Sequence, residues 1–164
     1  MSLYSLSVTV HVIAAVFWLG GMLFLAAVGA PVLRKVDPEL RAKLFSDLGV
    51  QFRWTAWIAI AALLVTGLTN MYFRGLLNWR VLGNPAYWGT TQGALLAWKL
   101  LLVFVMVGMA AIHDFVVGPR SSRARETDGR ESYDGLRRVA SHMGRLNVVL
   151  ALILIYVAVR LTRG

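Results

Sequence analysis

Apolar and polar residues follow one another along this chain in long blocks. Four blocks are dominated by aliphatic and aromatic side chains, about 8–33, 54–73, 95–117 and 146–161. A helix needs about 20 apolar residues to cross a bilayer core, and the first three blocks meet that length. The fourth is shorter, but Leu136, Val139, Ala140 and Met143 recur ahead of it at helical spacing and lengthen it. Strand-like alternation is missing, and backbone groups in lipid have to bond within their own segment, so helices follow. The pattern predicts an all-α fold, an integral membrane up-down four-helix bundle forming a single membrane domain over 1–164. Its helices are expected at about 4–33, 52–75, 92–117 and 136–162, with a basic cytoplasmic loop at 118–135. Pro31 and Pro38 read as closing the first helix, Gly83-Asn84-Pro85 as breaking the second connection, and Gly118-Pro119 as stopping the third helix. The first block outruns a signal-peptide core and has no basic residue before it, so it reads as a span.

Composition agrees with the blocks. Of 164 residues, 58% are hydrophobic and 15% charged, against about 25% charged in a soluble domain. Seventeen Lys and Arg against eight Asp and Glu give a net charge of +9, which in a soluble protein would suggest nucleic acid. Here its distribution supplies another reason. Arg34, Lys35, Arg41, Lys43 and Arg53 follow the first block; Arg120, Arg123, Arg125, Arg130, Arg137, Arg138 and Arg145 follow the third. In an up-down arrangement these share a face, opposite Arg74, Arg80, Arg160 and Arg163, with Lys99 just inside. Cytoplasmic loops collect Lys and Arg, so a multi-pass protein of the inner (cytoplasmic) membrane with both termini outside is expected, and no nucleic-acid partner. The chain has no cysteine, which excludes disulfides, thiolate metal sites and thiol catalysis.

An ionisable residue inside a span costs roughly 2.5–3.5 kcal/mol on insertion scales, so each needs a reason. They are His11, Lys99, His113 and Asp114, with His142 and Arg145 at the entrance of the fourth span. Lys99, Leu102, Met106, Met109 and His113 are spaced by three or four and share one stripe. Thioether and imidazole donors suit copper(I), and His or His/Met pairs suit haem iron. Packing is the ordinary role of a buried methionine. His11 and His113 differ in depth by roughly 20 Å at 1.5 Å per residue, too far for one metal. His113 and His142 share a depth, so the candidate metal ligands are His11, His113, His142 and Met109. Consecutive helical residues point about 100° apart, so Asp114 is expected to pair with His142, Arg145 or Arg53 and not to orient His113. Gly20, Gly21 and Gly67 permit close helix approach or leave room for a flat ligand. No Ser-His-Asp arrangement, phosphate loop or HExxH spacing supports hydrolysis or nucleotide chemistry.

The run from His11 to Trp18-Leu19-Gly20-Gly21 resembles the first helix of the CopD-like (copper-resistance D) membrane family. Phe52-Arg53 before an apolar span ending Thr66-Gly67-Leu68 resembles its second helix, and Tyr87-Trp88-Gly89 with Trp98-Lys99-Leu100 its third-helix entry. The same features resemble HemJ, a related four-helix family that binds haem b and oxidises protoporphyrinogen. The resemblance implies a metal or haem at the membrane, with His11 as ligand, Lys99 as its companion and Trp18 in the cofactor environment; His113 is a cofactor-binding candidate from its depth beside His142, since the family's third-helix histidine lies closer to the lysine. It implies a small haem-b-binding redox protein, electron-transferring or oxidase-like, of the membrane haem oxidoreductase class. The alternatives are copper handling or transport and a cofactor-free accessory subunit. Expected partners are the lipid bilayer, a quinone or redox partner protein, and a second copy in a homo-oligomer.

Overall fold

Each apolar block lies in a continuous helix, and in two cases the helix begins well before its block. The computed structural model describes residues 2–121 and 130–163. The elements are α1 (Leu3–Leu33), α2 (Pro38–Phe73), the short α3 (Trp79–Leu82) and α4 (Pro85–Trp88), α5 (Thr91–Ser121) and α6 (Arg130–Arg163). Among the described residues there is no strand. Helices α1, α2, α5 and the Arg138–Arg163 part of α6 are long and apolar enough to cross a membrane. The protein is an all-α, multi-pass membrane protein, as the hydropathy pattern predicts.

The helix starts are set by capping side chains. Ser2 accepts from the Ser5 N–H at 3.2 Å, and Thr90 accepts from the Gly93 N–H at 3.0 Å. Asp37 accepts from the Glu39 and Leu40 N–H groups at 3.0 and 3.5 Å, with Pro38 at the first helical position. Such caps each contribute about 1 kcal/mol. Pro38 therefore opens α2 and does not close α1, because a proline at the first position loses no helical hydrogen bond. The expected start near 52 moves back to Pro38, and that of the last helix from 136 to Arg130. Polar residues there describe an aqueous setting; they do not stop a helix. Of the expected loop at 118–135, 118–121 and 130–135 are helical, and 122–129, which include Arg123 and Arg125, lie outside the described residues.

Pro31 and Pro119 do not end their helices either. Each follows a wide turn, Leu25–Gly29 in α1 and His113–Val117 in α5. There the Ala30 N–H bonds Leu25 O and the Gly118 N–H bonds His113 O, five residues back. A proline ring collides with the carbonyl four residues earlier in a regular helix, and the extra residue in the turn relieves that collision. Helix α2 does stop cleanly. Gly75 has φ +69°, the Leu76 N–H bonds Met71 O, and the Gly75 N–H bonds Tyr72 O, both at 2.9 Å. This left-handed ending favours glycine.

Contacts group the chain into Met1–Pro85 and Ala86–Gly164. In the first unit α1 packs on α2. Ser7, His11, Ala14, Trp18, Gly21 and Leu25 on α1, and Phe52, Ala56, Ala59, Leu63, Thr66, Asn70 and Phe73 on α2, recur in alternating steps of four and three. That 3.5-residue spacing keeps two helices in contact along their length. Tyr4 meets Phe73 edge-on with ring centres 5.8 Å apart, Ser7 donates to Thr66 O at 3.4 Å, and the Phe52 ring occupies the space beside Gly21. Position falls on α2 as it rises on α1, so the pair is antiparallel. In the second unit α5 packs on α6, also antiparallel, since Thr91 and Leu95 share a cleft with Tyr156, Arg160 and Arg163. Leu96, Leu102, Met106 and Val117 on α5, and Asn147, Ala151, Val157 and Leu161 on α6, are buried.

Candidate functional site

His11 sits on the buried stripe of α1, half-buried, two turns before Trp18. Its Nδ1 lies 2.8 Å from the Thr66 Oγ1 of α2. The Thr66 hydroxyl is also 2.5 Å from Ala62 O, one helical turn back. A hydroxyl has a single proton. Donated to the Ala62 carbonyl, that proton leaves Thr66 Oγ1 to accept from His11, so His11 carries its proton on Nδ1. The lone pair then resides on Nε2, the form in which a neutral imidazole ligates a metal. On its other side the ring is bounded by Gly67, where an added Cβ would stand 3.5 Å from His11 Cε1. A shallow groove of about 340 Å³ adjoins this pair, lined by Leu3, Leu6, Ser7, Val10, Thr66, Thr69 and Phe73.

Thr66 was the residue without an assigned role in the sequence. The available signal was its place on the 3.5-residue stripe of α2, whose antiparallel pairing sets it opposite His11. Trp18 is buried, at 4% exposure. Gly21 is filled by Phe52, and Gly20 has open space beside it. Of the three glycines considered in the spans, Gly67 alone borders an imidazole.

The second unit arranges its ionisable groups differently. His113 opens the wide turn of α5, and its Nδ1 lies 2.9 Å from Asp114 Oδ1. The expectation that Asp114 would leave His113 unoriented is therefore corrected. A wide turn has more residues per revolution, so neighbouring side chains diverge less than in a regular helix. The His113 side chain is 42% exposed and that of Asp114 17%. Met106 on the same stripe is fully buried, as packing requires, and Met109 and Lys99 are half-buried. His142 and Arg145 are exposed on α6. Among the described residues no group of three or more His, Cys, Asp or Glu side chains comes together to hold a metal.

Comparison with known proteins adds a family. The family model of copper resistance protein D matches residues 48–161, which include Thr66, Gly67, Lys99, Met109, His113 and His142. An uncharacterized protein of Aquifex aeolicus (strain VF5) is 33% identical over 159 residues, covering 94% of this chain and 92% of that one. No solved structure matches.

Proposed function

Because the chain belongs to the copper resistance protein D family, we propose that it is a small membrane redox protein that binds haem b through His11. The observation that carries this reading is the hydrogen bond from His11 Nδ1 to Thr66, which leaves the imidazole lone pair on Nε2. The donor set bears on the choice of cofactor. A protein-built copper site takes several donors, whereas haem carries its own equatorial nitrogens and asks for one or two axial side chains. One tautomer-locked imidazole on an apolar hairpin fits the second demand.

When bound, haem would supply one-electron chemistry whose potential depends on the axial ligand and its surroundings. The chain's part is to hold that ligand. Thr66 fixes the ring's tautomer and its rotation, and Gly67 leaves room along the ring edge. The packed seam around Ala14, Trp18, Ala56 and Ala59 excludes water from the helix interface. The reading includes placement in the cytoplasmic membrane with both termini outside, supported by the clustering of Arg34, Lys35, Arg41 and Lys43 after α1. A quinone or a redox protein would be the electron partner.

A second reading, copper(I) handling, is favoured by the family's description and by the soft donors Met109 and His113 one turn apart on α5. Pigment separates the two. Protein purified from haem-sufficient cells is expected to be red with a Soret band that shifts on reduction. A colourless protein that takes up copper(I) would replace the haem reading by the copper one.

A further inference from the structure

We infer that the open end of the α5–α6 hairpin is a binding site for an anionic phospholipid. A cleft of about 430 Å³ lies there, walled by Thr91 and Leu95 of α5 and by Tyr156, Val159, Arg160 and Arg163 of α6. The four α6 residues are spaced by three, one and three, so they form one stripe of the helix facing the first turn of α5. Leu95, Val159 and the Tyr156 ring make an apolar wall. Arg160 and Arg163 place two guanidinium groups at its edge, and Thr91 adds a hydroxyl.

No carboxylate side chain lies near these arginines in the sequence. The sequence has no Asp or Glu between Asp47 and Asp114 and none after Asp134. Among the described residues neither guanidinium has an ion pair or a side-chain hydrogen bond. Tyr156 in the cleft is 64% exposed, and Trp98, three residues after Leu95 on α5, is 59% exposed; both are residue types that favour the membrane interface. A ligand that satisfies all of this has an anionic head for two arginines and a hydrocarbon body for the wall. A glycerophospholipid with net negative charge has that chemistry. Guanidinium groups hold phosphate oxygens through paired N–H donors. Each arginine near anionic lipid is expected to contribute about fivefold in binding.

The test is native mass spectrometry of the full chain in neutral detergent with phosphatidylglycerol, phosphatidylcholine or inorganic phosphate added. Phosphatidylglycerol should be retained well above the other two. Arg160→Gln/Arg163→Gln should weaken it about 25-fold, with helical circular dichroism unchanged. Arg160→Lys/Arg163→Lys should keep most of it, since the charges remain. Leu95→Trp, which fills the apolar wall and leaves both charges, should weaken phosphatidylglycerol as well. Arg74→Gln/Arg80→Gln, on exposed arginines outside the cleft, should change nothing. Retention unaltered in the glutamine variant, or lowered equally by Arg74→Gln/Arg80→Gln, would overturn the proposal. Inorganic phosphate bound as well as the lipid would make this an anion site with no lipid specificity, and that too would overturn it.

Discussion

The two hairpins hold their intramembrane histidines by opposite means. In the first, His11 bonds across to Thr66 on the other helix, and the arrangement exists only while α1 and α2 keep their register. In the second, His113 bonds the next residue of its own helix, and a wide turn in α5 suffices. The partners differ as well. The threonine hydroxyl, whose proton is committed to Ala62 O, accepts from His11 Nδ1, whereas the partner of His113 Nδ1 is a carboxylate oxygen. The close approaches differ in the same sense: in the first hairpin they run along the helix seam, at Gly21 and Gly67, and in the second the tightest is at the entry of α5, at Gly93.

The contrast can be pressed at several points. The largest stability effect is expected at Gly93, where an added methyl would run into the Tyr87 carbonyl, part of a backbone that cannot swing aside. Gly93→Ala should cost about 3 kcal/mol in detergent unfolding monitored by circular dichroism. Thr66→Val keeps the volume and removes the acceptor from His11. Loss of such a ligand-orienting partner typically weakens metal affinity 10–100-fold, so haem titration of this variant should show a drop of that order. Asp114→Asn, its counterpart in the other hairpin, should leave haem affinity within about twofold; an equal drop would remove the distinction between the two histidines. Gly21→Ala meets the Phe52 ring, which can turn, and should cost about 1 kcal/mol. Gly67→Ala meets His11 Cε1 at an ordinary contact distance and should shift unfolding by less than about 0.5 kcal/mol.

The helices were legible because twenty apolar residues in a row leave the backbone one economical choice. Their boundaries were less so, because hydropathy reports what lies in lipid and α2 and α6 extend beyond it. Asp37-Pro38-Glu39 had the composition of a helix start, yet beside a proline at 31 it read as the end of the previous helix. Pro31 and Pro119 looked like stops because a wide turn that absorbs a proline has no composition of its own. The site was half legible. His11 stood out as an ionisable group in an apolar run, but the pairing that gives it a role depends on which α2 residue lies opposite. That requires the register of an antiparallel pair. The 3.5-residue spacing of Ser7, His11, Ala14 and Trp18 against Ala56, Ala59, Leu63 and Thr66 contains that register once both stripes are drawn. The Asp114 expectation failed for the complementary reason, since it assumed a regular helix where the turn is wide.

The proposed haem site assigns the ligand to His11 and not to His113. The direct measurement is the absorption spectrum of His11→Ala and His113→Ala proteins purified in parallel from haem-sufficient cells. The Soret band should be lost from the first and retained at the parent's intensity in the second. A full Soret band in His11→Ala, with loss in His113→Ala, would contradict it.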